Sequence, residues 1–211
     1  MTEKIEVTLL KAPSQDRSRR RIRKILESTK KLLRDQGIRA VTTTRIADLA
    51  GIPVGSIYQY FPNKKAIFVT LYDEYLVNIR KTIEAFEQKQ YPHSKREEVV
   101  SELLSALLHA EKKDKGFAEL ANATNLFPEL REIDKTHGDM VAGRIAALLK
   151  QLGSNWPTDK LRRLSLFTYH INAGSWLYRE LPEASAHEAL QWEQKASLAV
   201  LRMCFESKTN S

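Results

Sequence analysis

The stretch that decides the fold is Thr42–Phe61, which reads TTTRIADLAGIPVGSIYQYF. Its first threonine can cap the start of a short helix, and Gly51 can end that helix in the left-handed conformation that glycine adopts without penalty. Pro53 cannot continue the first helix but suits the first turn of another. We therefore predict two short helices joined by a tight turn, the second spanning Val54–Tyr60. This is the helix-turn-helix layout, in which the second helix lies in the DNA major groove.

The motif T-x-R-I-A-x-x-A-G-I-x-x-G-S-I-Y-x-Y-F-x-x-K lies within residues 42–64. It resembles the DNA-binding segment of the TetR family of bacterial repressors, and the surrounding helical pattern extends the likeness to about residues 15–85. The resemblance implies an all-α fold. It has an N-terminal three-helix helix-turn-helix DNA-binding domain and a C-terminal helical bundle for ligand binding and dimerisation. The alternative is an ordinary helical hairpin inside a protein core.

The composition is that of a helix-rich globular protein. The 211 residues are 42% hydrophobic and 28% charged, and no apolar run approaches the length of a membrane span. The single cysteine, Cys204, excludes an internal disulfide framework and suits a reducing compartment. We therefore expect a cytoplasmic protein that does not enter a membrane.

Positive charge is concentrated near the N-terminus. Residues 1–65 hold 15 Lys and Arg against 6 Asp and Glu, whereas residues 66–211 hold 19 against 20. The excess coincides with the helix-turn-helix, which indicates double-stranded DNA as the partner. The first helix is itself basic and amphipathic, a pattern that also suits a membrane surface. Its apolar stripe is needed by the three-helix core, so we favour DNA.

Apolar residues recur at helical spacing along the rest of the chain, and no useful β-alternation is present. We predict a mobile arm at residues 1–14, a DNA-binding domain at 15–62 and an effector-binding and dimerisation domain at 63–211. A connecting helix at 63–90 opens that last domain. Five further helices are predicted at about 95–112, 114–126, 128–152, 159–181 and 186–205.

The resemblance assigns DNA contacts to both short helices. Hydroxyls and backbone N–H groups at the start of the first helix would hold a phosphate. Small residues at the start of the second allow close approach, and Gln59 offers the donor–acceptor pair that suits adenine. Tyr60 and Lys64 match family positions that hold the phosphate backbone. The predicted DNA-binding residues are Thr43, Thr44, Val54, Gly55, Ser56, Tyr58, Gln59, Tyr60 and Lys64.

The C-terminal half is predicted to bind a second subunit and a small molecule. The last helix carries two apolar stripes, which implies burial on both sides and a two-fold dimer. The predicted dimer residues are Gly174, Ala189, Trp192, Ala196, Val200 and Met203. The resemblance implies an effector pocket inside residues 95–181. The polar and aromatic residues within its apolar helices suit an apolar or amphipathic small molecule. Its candidate residues are Phe117, Asn122, Asn125, His137, Tyr169, Asn172 and Trp176. For each of them taken alone, we favour a hydrogen-bonded core residue or an interface anchor.

Catalysis is not expected. The five histidines show no i, i+4 pair, and no nucleophile elbow or phosphate-binding glycine loop is present. We predict no metal and no cofactor. Two interpretations therefore stay open, a homodimeric repressor released by a small molecule and a DNA-binding protein that is ligand-independent or regulated by a partner.

Overall fold

The computed structural model describes residues 16–112, 115–179 and 185–206. Within these ranges it describes the backbone alone at 111, 112, 115–118, 173, 176, 177, 179 and 186. Every regular element in these ranges is helical, as predicted. The predicted arm at residues 1–14 lies outside them. None of these helices combines the length and the apolar character that crossing a membrane requires. The α-helices are α1 Asp16–Gln36, α2 Thr43–Ala50, α3 Val54–Tyr58, α4 Lys64–Glu87, α5 Arg96–Lys112, α6 Lys115–Asn122, α7 Pro128–Gln151, α8 Thr158–Arg179 and α9 Ala186–Arg202.

Local chemistry sets the helix ends around the turn. The Thr42 hydroxyl accepts a hydrogen bond from the Arg45 N–H at 3.2 Å, which caps α2 as predicted. Gly51 ends α2 with φ 64° and ψ 42°, the left-handed cap that favours glycine. Gly37 has φ 74° and follows the last residue of α1. Helix α3 ends at Tyr58, two residues earlier than predicted. Gln59 keeps helical dihedrals, with φ −69° and ψ −25°, and the Tyr60 N–H donates to the Ile57 carbonyl oxygen at 3.0 Å in the turn that follows.

The described residues form two compact units. The first contains residues 16–76 and 115–134, and the second contains residues 77–112, 135–179 and 185–206. The predicted boundary at residues 62 and 63 falls inside the first of these units, which also contains the segment 115–134. Helices α4 and α7 contribute residues to both units.

The first unit is built on an apolar core in which Ile25, Ile46, Ile57 and Phe61 are fully buried. Phe68 of α4 is also fully buried and meets the Phe127 ring edge-on, with centroids 5.6 Å apart. Burying one such side chain stabilises the fold by about 1.5–3 kcal/mol. The small domain therefore has a rigid base on which α2 and α3 sit.

The second unit buries polar as well as apolar side chains. Its apolar interior includes Leu103, Leu149 and Leu161, each with at most 1% of its surface exposed. Several polar residues are also buried, and some of them are hydrogen-bonded. The Ser197 hydroxyl, for example, donates to the side-chain amide oxygen of Asn172 at 3.1 Å. The buried polar residues of this unit are His137, Ser154, Ser165, Thr168, Glu193 and Ser197.

Candidate nucleic-acid interface

Helices α2 and α3 present a polar surface to solvent. Thr44, Gly55 and Gln59 are exposed, and Val54 is half-buried at the start of α3. Tyr58 has 47% of its surface exposed although it lies in a short helix with a buried apolar side. A helix that used this side only for packing would not display a large aromatic ring in water. The exposed side therefore has the character of a binding surface.

The two helices are joined across this surface by a hydrogen bond. The Thr43 hydroxyl and the Tyr58 hydroxyl lie 3.1 Å apart, and either can donate. The bond fixes the phenol ring over the start of α2. An exposed tyrosine that is held in this way loses little conformational freedom when it meets a partner.

Gly55 lies at an unobstructed position on the same surface. A Cβ built on it would meet no heavy atom of the chain within 4 Å. No contact within the described part of the fold therefore requires glycine there. The absence of a side chain at Gly55 instead leaves room for something outside the chain.

Two of the predicted DNA contacts are buried in the structure. Ser56 is 9% exposed and lies on the inner side of α3 beside Ile57. Tyr60 is 6% exposed, and its hydroxyl donates to the Ser18 hydroxyl at 3.4 Å rather than pointing outward. Ser56 thus faces the core from α3, and Tyr60 faces it from the turn after α3, so neither belongs to the exposed surface.

Three side chains hold the connection between α1 and α2. Arg45 donates to the Ala40 carbonyl oxygen at 3.0 Å, and Lys64 donates to the Val41 carbonyl oxygen at 3.3 Å. Arg45 also bonds the Gln36 side chain. Lys64, which was predicted to contact a phosphate, is half-buried. Its ammonium group has three N–H donors, so two remain for another acceptor after the bond to Val41.

Glu119 of α6 is the third of these side chains, and the sequence analysis did not predict its role. Its carboxylate accepts a hydrogen bond from the Ile38 N–H at 3.0 Å. The partners are 81 residues apart in the chain, and no local pattern marks them. Lys65 and Glu129 also pair at 2.8 Å, and this hydrogen bond lowers the pKa of the Glu129 carboxyl. The segment 115–134 thus braces the base of the helix-turn-helix.

The predicted effector residues are divided between the two units. Asn122 is half-buried and Asn125 is exposed in the first unit, whereas His137, Tyr169 and Asn172 belong to the second. The side chains of the remaining two candidates, Phe117 and Trp176, lie outside the described residues.

His137 is the most enclosed member of the second-unit group, with 3% of its surface exposed. Its ring centroid lies 6.1 Å from that of Tyr169, and its Nδ1 atom has no hydrogen-bond partner within the described chain. Burial, with repulsion from Arg80, lowers the His137 pKa to about 3. The imidazole is therefore neutral at physiological pH.

The predicted dimer residues are mostly accessible. Trp192 and Met203 are 53% and 46% exposed, and Ala196 and Gly174 are also exposed. Val200 is half-buried, while Ala189 is 4% exposed and packs inside its own unit. Phe167 and Tyr178 of α8 add two further exposed rings to the apolar surface of this unit.

The fold and the accessible surface together define an all-α protein with an N-terminal helix-turn-helix. Residues 25–71 match the sequence profile of the family described as bacterial regulatory proteins, tetR family. In this segment, which contains α2 and α3, the chain is similar to the TetR family.

Solved structures share the fold over most of the chain. A TetR-family regulator from Marinobacter aquaeolei has a TM-score of 0.67 and 19% identity, covering 89% of this chain and 91% of its own. A TetR-family regulator from Streptomyces coelicolor has a TM-score of 0.62 and 22% identity, covering 87% and 99%. At these identities the similarity concerns the fold.

One curated relative is similar over a shorter stretch. The nucleoid occlusion factor SlmA of Haemophilus ducreyi is 32% identical over 83 residues, which is 39% of this chain. The match spans about two fifths (41%) of the length of that relative.

Proposed function

We propose that this chain is a cytoplasmic transcriptional repressor that binds a palindromic DNA operator as a homodimer and is released by a small molecule. The observation that carries the DNA-binding function is the exposed polar side of α2 and α3, where Tyr58 and Gln59 lie near the unobstructed Gly55. Nothing in this arrangement calls for catalysis, and we assign none.

In this proposal α3 lies in the major groove. Gly55 lets the helix backbone approach the base edges closely, and Val54 can contact a thymine methyl group. The Gln59 amide has the paired donor and acceptor that match adenine. No arginine or lysine lies on α3, so direct reading of guanine is not expected. Phosphate contacts and DNA shape then supply much of the affinity.

The start of α2 supplies the first phosphate contact. The Thr42 hydroxyl already accepts a hydrogen bond from the Arg45 N–H. The N–H groups of Thr43 and Thr44 lie in the first turn of α2 and have no acceptor within the helix. The exposed Thr44 hydroxyl adds a donor. Such a helix start attracts a phosphate through its free donors and its dipole.

The homodimer is proposed on the exposed apolar side of α8 and α9. Phe167, Tyr178, Trp192 and Met203 leave large apolar side chains in water, which is unusual for a monomer. A Cβ at Gly174 would meet no heavy atom of the chain within 4 Å, so a partner helix has room to approach there. Two-fold pairing would present two recognition helices to half-sites about 34–36 Å apart, or a multiple of that distance.

An effector site is proposed around His137, Tyr169 and Asn172 in the second unit. The unpartnered Nδ1 of a neutral, buried imidazole suits an uncharged polar group, and the neighbouring apolar helices suit an apolar or amphipathic body. Ligand binding need only favour the conformation whose recognition helices mismatch the operator.

The second candidate is a DNA-binding protein that works without a small molecule or under the control of a partner. The similarity to a protein named nucleoid occlusion factor favours it, because that name refers to the nucleoid rather than to one operator. Thermal melting with a panel of metabolites separates the two candidates. A stabilising compound that also releases DNA supports the repressor, and its absence supports the alternative.

The DNA-binding function is tested by selecting bound duplexes from a random pool and measuring their affinity for two glycine variants. Gly55→Ala should fold normally and weaken binding about tenfold or more, because the added methyl group meets the groove. Gly143→Ala is the matched control, since Gly143 is also exposed, helical and unobstructed. Equal affinity of both variants, or no enrichment of any duplex, would contradict the proposal.

A further inference from the structure

One side of α1 carries a row of cations without carboxylate partners. Arg17, Arg20, Arg21 and Lys24 follow one another at helical spacing, and all but the half-buried Arg21 are exposed. Within the described part of the chain, none of the four forms an ion pair. We call these four residues the basic row.

Other cations of α1 have carboxylate partners within the chain. Lys30 lies 3.4 Å from both Glu27 and Glu74, and Arg34 lies 3.5 Å from Asp35. Lys30 and Arg34 therefore have carboxylates beside them, whereas no described carboxylate pairs with the basic row. Four neighbouring like charges repel one another, so an external anion would stabilise the row.

The basic row begins beside the recognition helix. The Tyr60 hydroxyl, two residues beyond the end of α3, donates to the Ser18 hydroxyl at 3.4 Å. Ser18 lies between Arg17 and the next arginines of the row. The hydrogen bond thus places the first turn of α1 next to the trailing end of α3, where the edge of a bound groove would lie.

We propose that the basic row binds duplex DNA phosphates that flank the bases contacted by α3. This inference rests on the proposed DNA-binding function and adds a second contact surface to it. The row spans about 10 Å along α1 at 1.5 Å per residue. Successive base pairs rise about 3.4 Å, so the row is long enough to meet two or three phosphates of one strand. Arginine also suits phosphate because its planar group donates in pairs.

The test is a salt titration on an enriched duplex and on a random-sequence duplex of equal length. The triple variant Arg17→Ala, Arg20→Ala, Arg21→Ala should bind both duplexes more weakly, by about tenfold or more near physiological salt. The slope of log affinity against log salt should become shallower by about 2, because each lost phosphate contact removes about 0.9. The stretch of the enriched duplex that is protected from hydroxyl radicals should become shorter beside each half-site.

Lys31→Ala is the matched control, because Lys31 is exposed on the same helix about 10 Å beyond Lys24. It should leave slope and footprint unchanged. A triple variant with the wild-type slope would overturn the proposal. If Gly55→Ala still weakened binding in that case, the DNA-binding function would stand without the basic row. Loss of binding to anionic phosphatidylglycerol vesicles, with DNA affinity unchanged, would instead assign the row to a membrane surface.

Discussion

The two compact units differ in the side chains that they bury and expose. The first keeps an aliphatic and aromatic core around Ile25 and Phe61 and exposes threonine, glutamine and arginine. The second buries His137 and Glu193 while leaving Trp192 in water. A polar, cationic surface suits a polyanion and responds to salt, whereas an apolar surface suits a protein partner and responds little. The contrast supports the proposal that the first unit binds DNA and the second binds another copy of the chain.

The largest expected effect comes from placing a charge on the apolar surface. Trp192→Asp should weaken self-association by about 100-fold or more, because an unpaired carboxylate would be buried at the centre of the contact. Sedimentation velocity would show a monomer, and affinity for a two-half-site duplex would fall with it. Ala147→Asp, at an exposed position on α7, is the control and should stay dimeric. An unchanged dimer would place the interface elsewhere.

The buried histidine predicts a pH effect on stability. His137 has a folded pKa of about 3, well below the usual 6.5, so only the unfolded chain takes up its proton between these values. The free energy of unfolding is therefore unaffected above pH 6.5 and falls as the pH drops toward 3. About 2 kcal/mol should be lost by pH 5. Urea unfolding across this range should show a flatter profile for His137→Gln, and parallel profiles would refute the assignment.

The next effect tests packing in the second unit. A Cβ on Gly138 would lie 2.9 Å from Cε1 of Tyr169, so Gly138→Ala forces the ring to move. We expect a loss of about 1–3 kcal/mol in the free energy of unfolding. Adding Tyr169→Ala should remove part of the Gly138→Ala penalty, as a double-mutant cycle would show. Strict additivity would mean that the two residues do not compete for space.

The smallest expected effect concerns the brace in the first unit. Glu119→Ala removes the acceptor for the Ile38 N–H and should cost about 1 kcal/mol in the free energy of unfolding. Glu119→Gln keeps an acceptor oxygen and should cost less. Since the brace holds the α1–α2 connection, Glu119→Ala should also weaken DNA binding a few-fold. Identical behaviour of the two variants would argue against a role for this hydrogen bond.

Sequence patterns located the helices because their ends depend on local chemistry. Thr42 caps α2 and Gly51 ends it in the left-handed conformation, and both effects act within one turn. The orientation of α3 was harder to predict. A five-residue helix offers little more than one turn from which to judge its inner side, and Ser56 and Tyr60 prove to be buried.

Long-range packing left no mark in the sequence. The Glu119 contact to Ile38 joins residues 81 positions apart, and a surface glutamate on a short helix carries no local signal of such a partner. The same limit applies to the proposed effector residues. Asn122 and His137 share a polar character within apolar helices, yet the fold places them in different units.

Hydroxyl-radical footprinting of an enriched duplex most directly tests whether the chain binds DNA through α3 at two half-sites. The wild-type chain should protect two stretches about 34–36 Å apart, or a multiple of that distance. At a protein concentration that just saturates the wild-type footprint, Gly55→Ala should weaken both protections, as expected from an affinity lower by about tenfold or more, and Gly143→Ala should preserve them. No protection at low ionic strength, or a Gly55→Ala footprint identical to that of the wild type, would contradict the account.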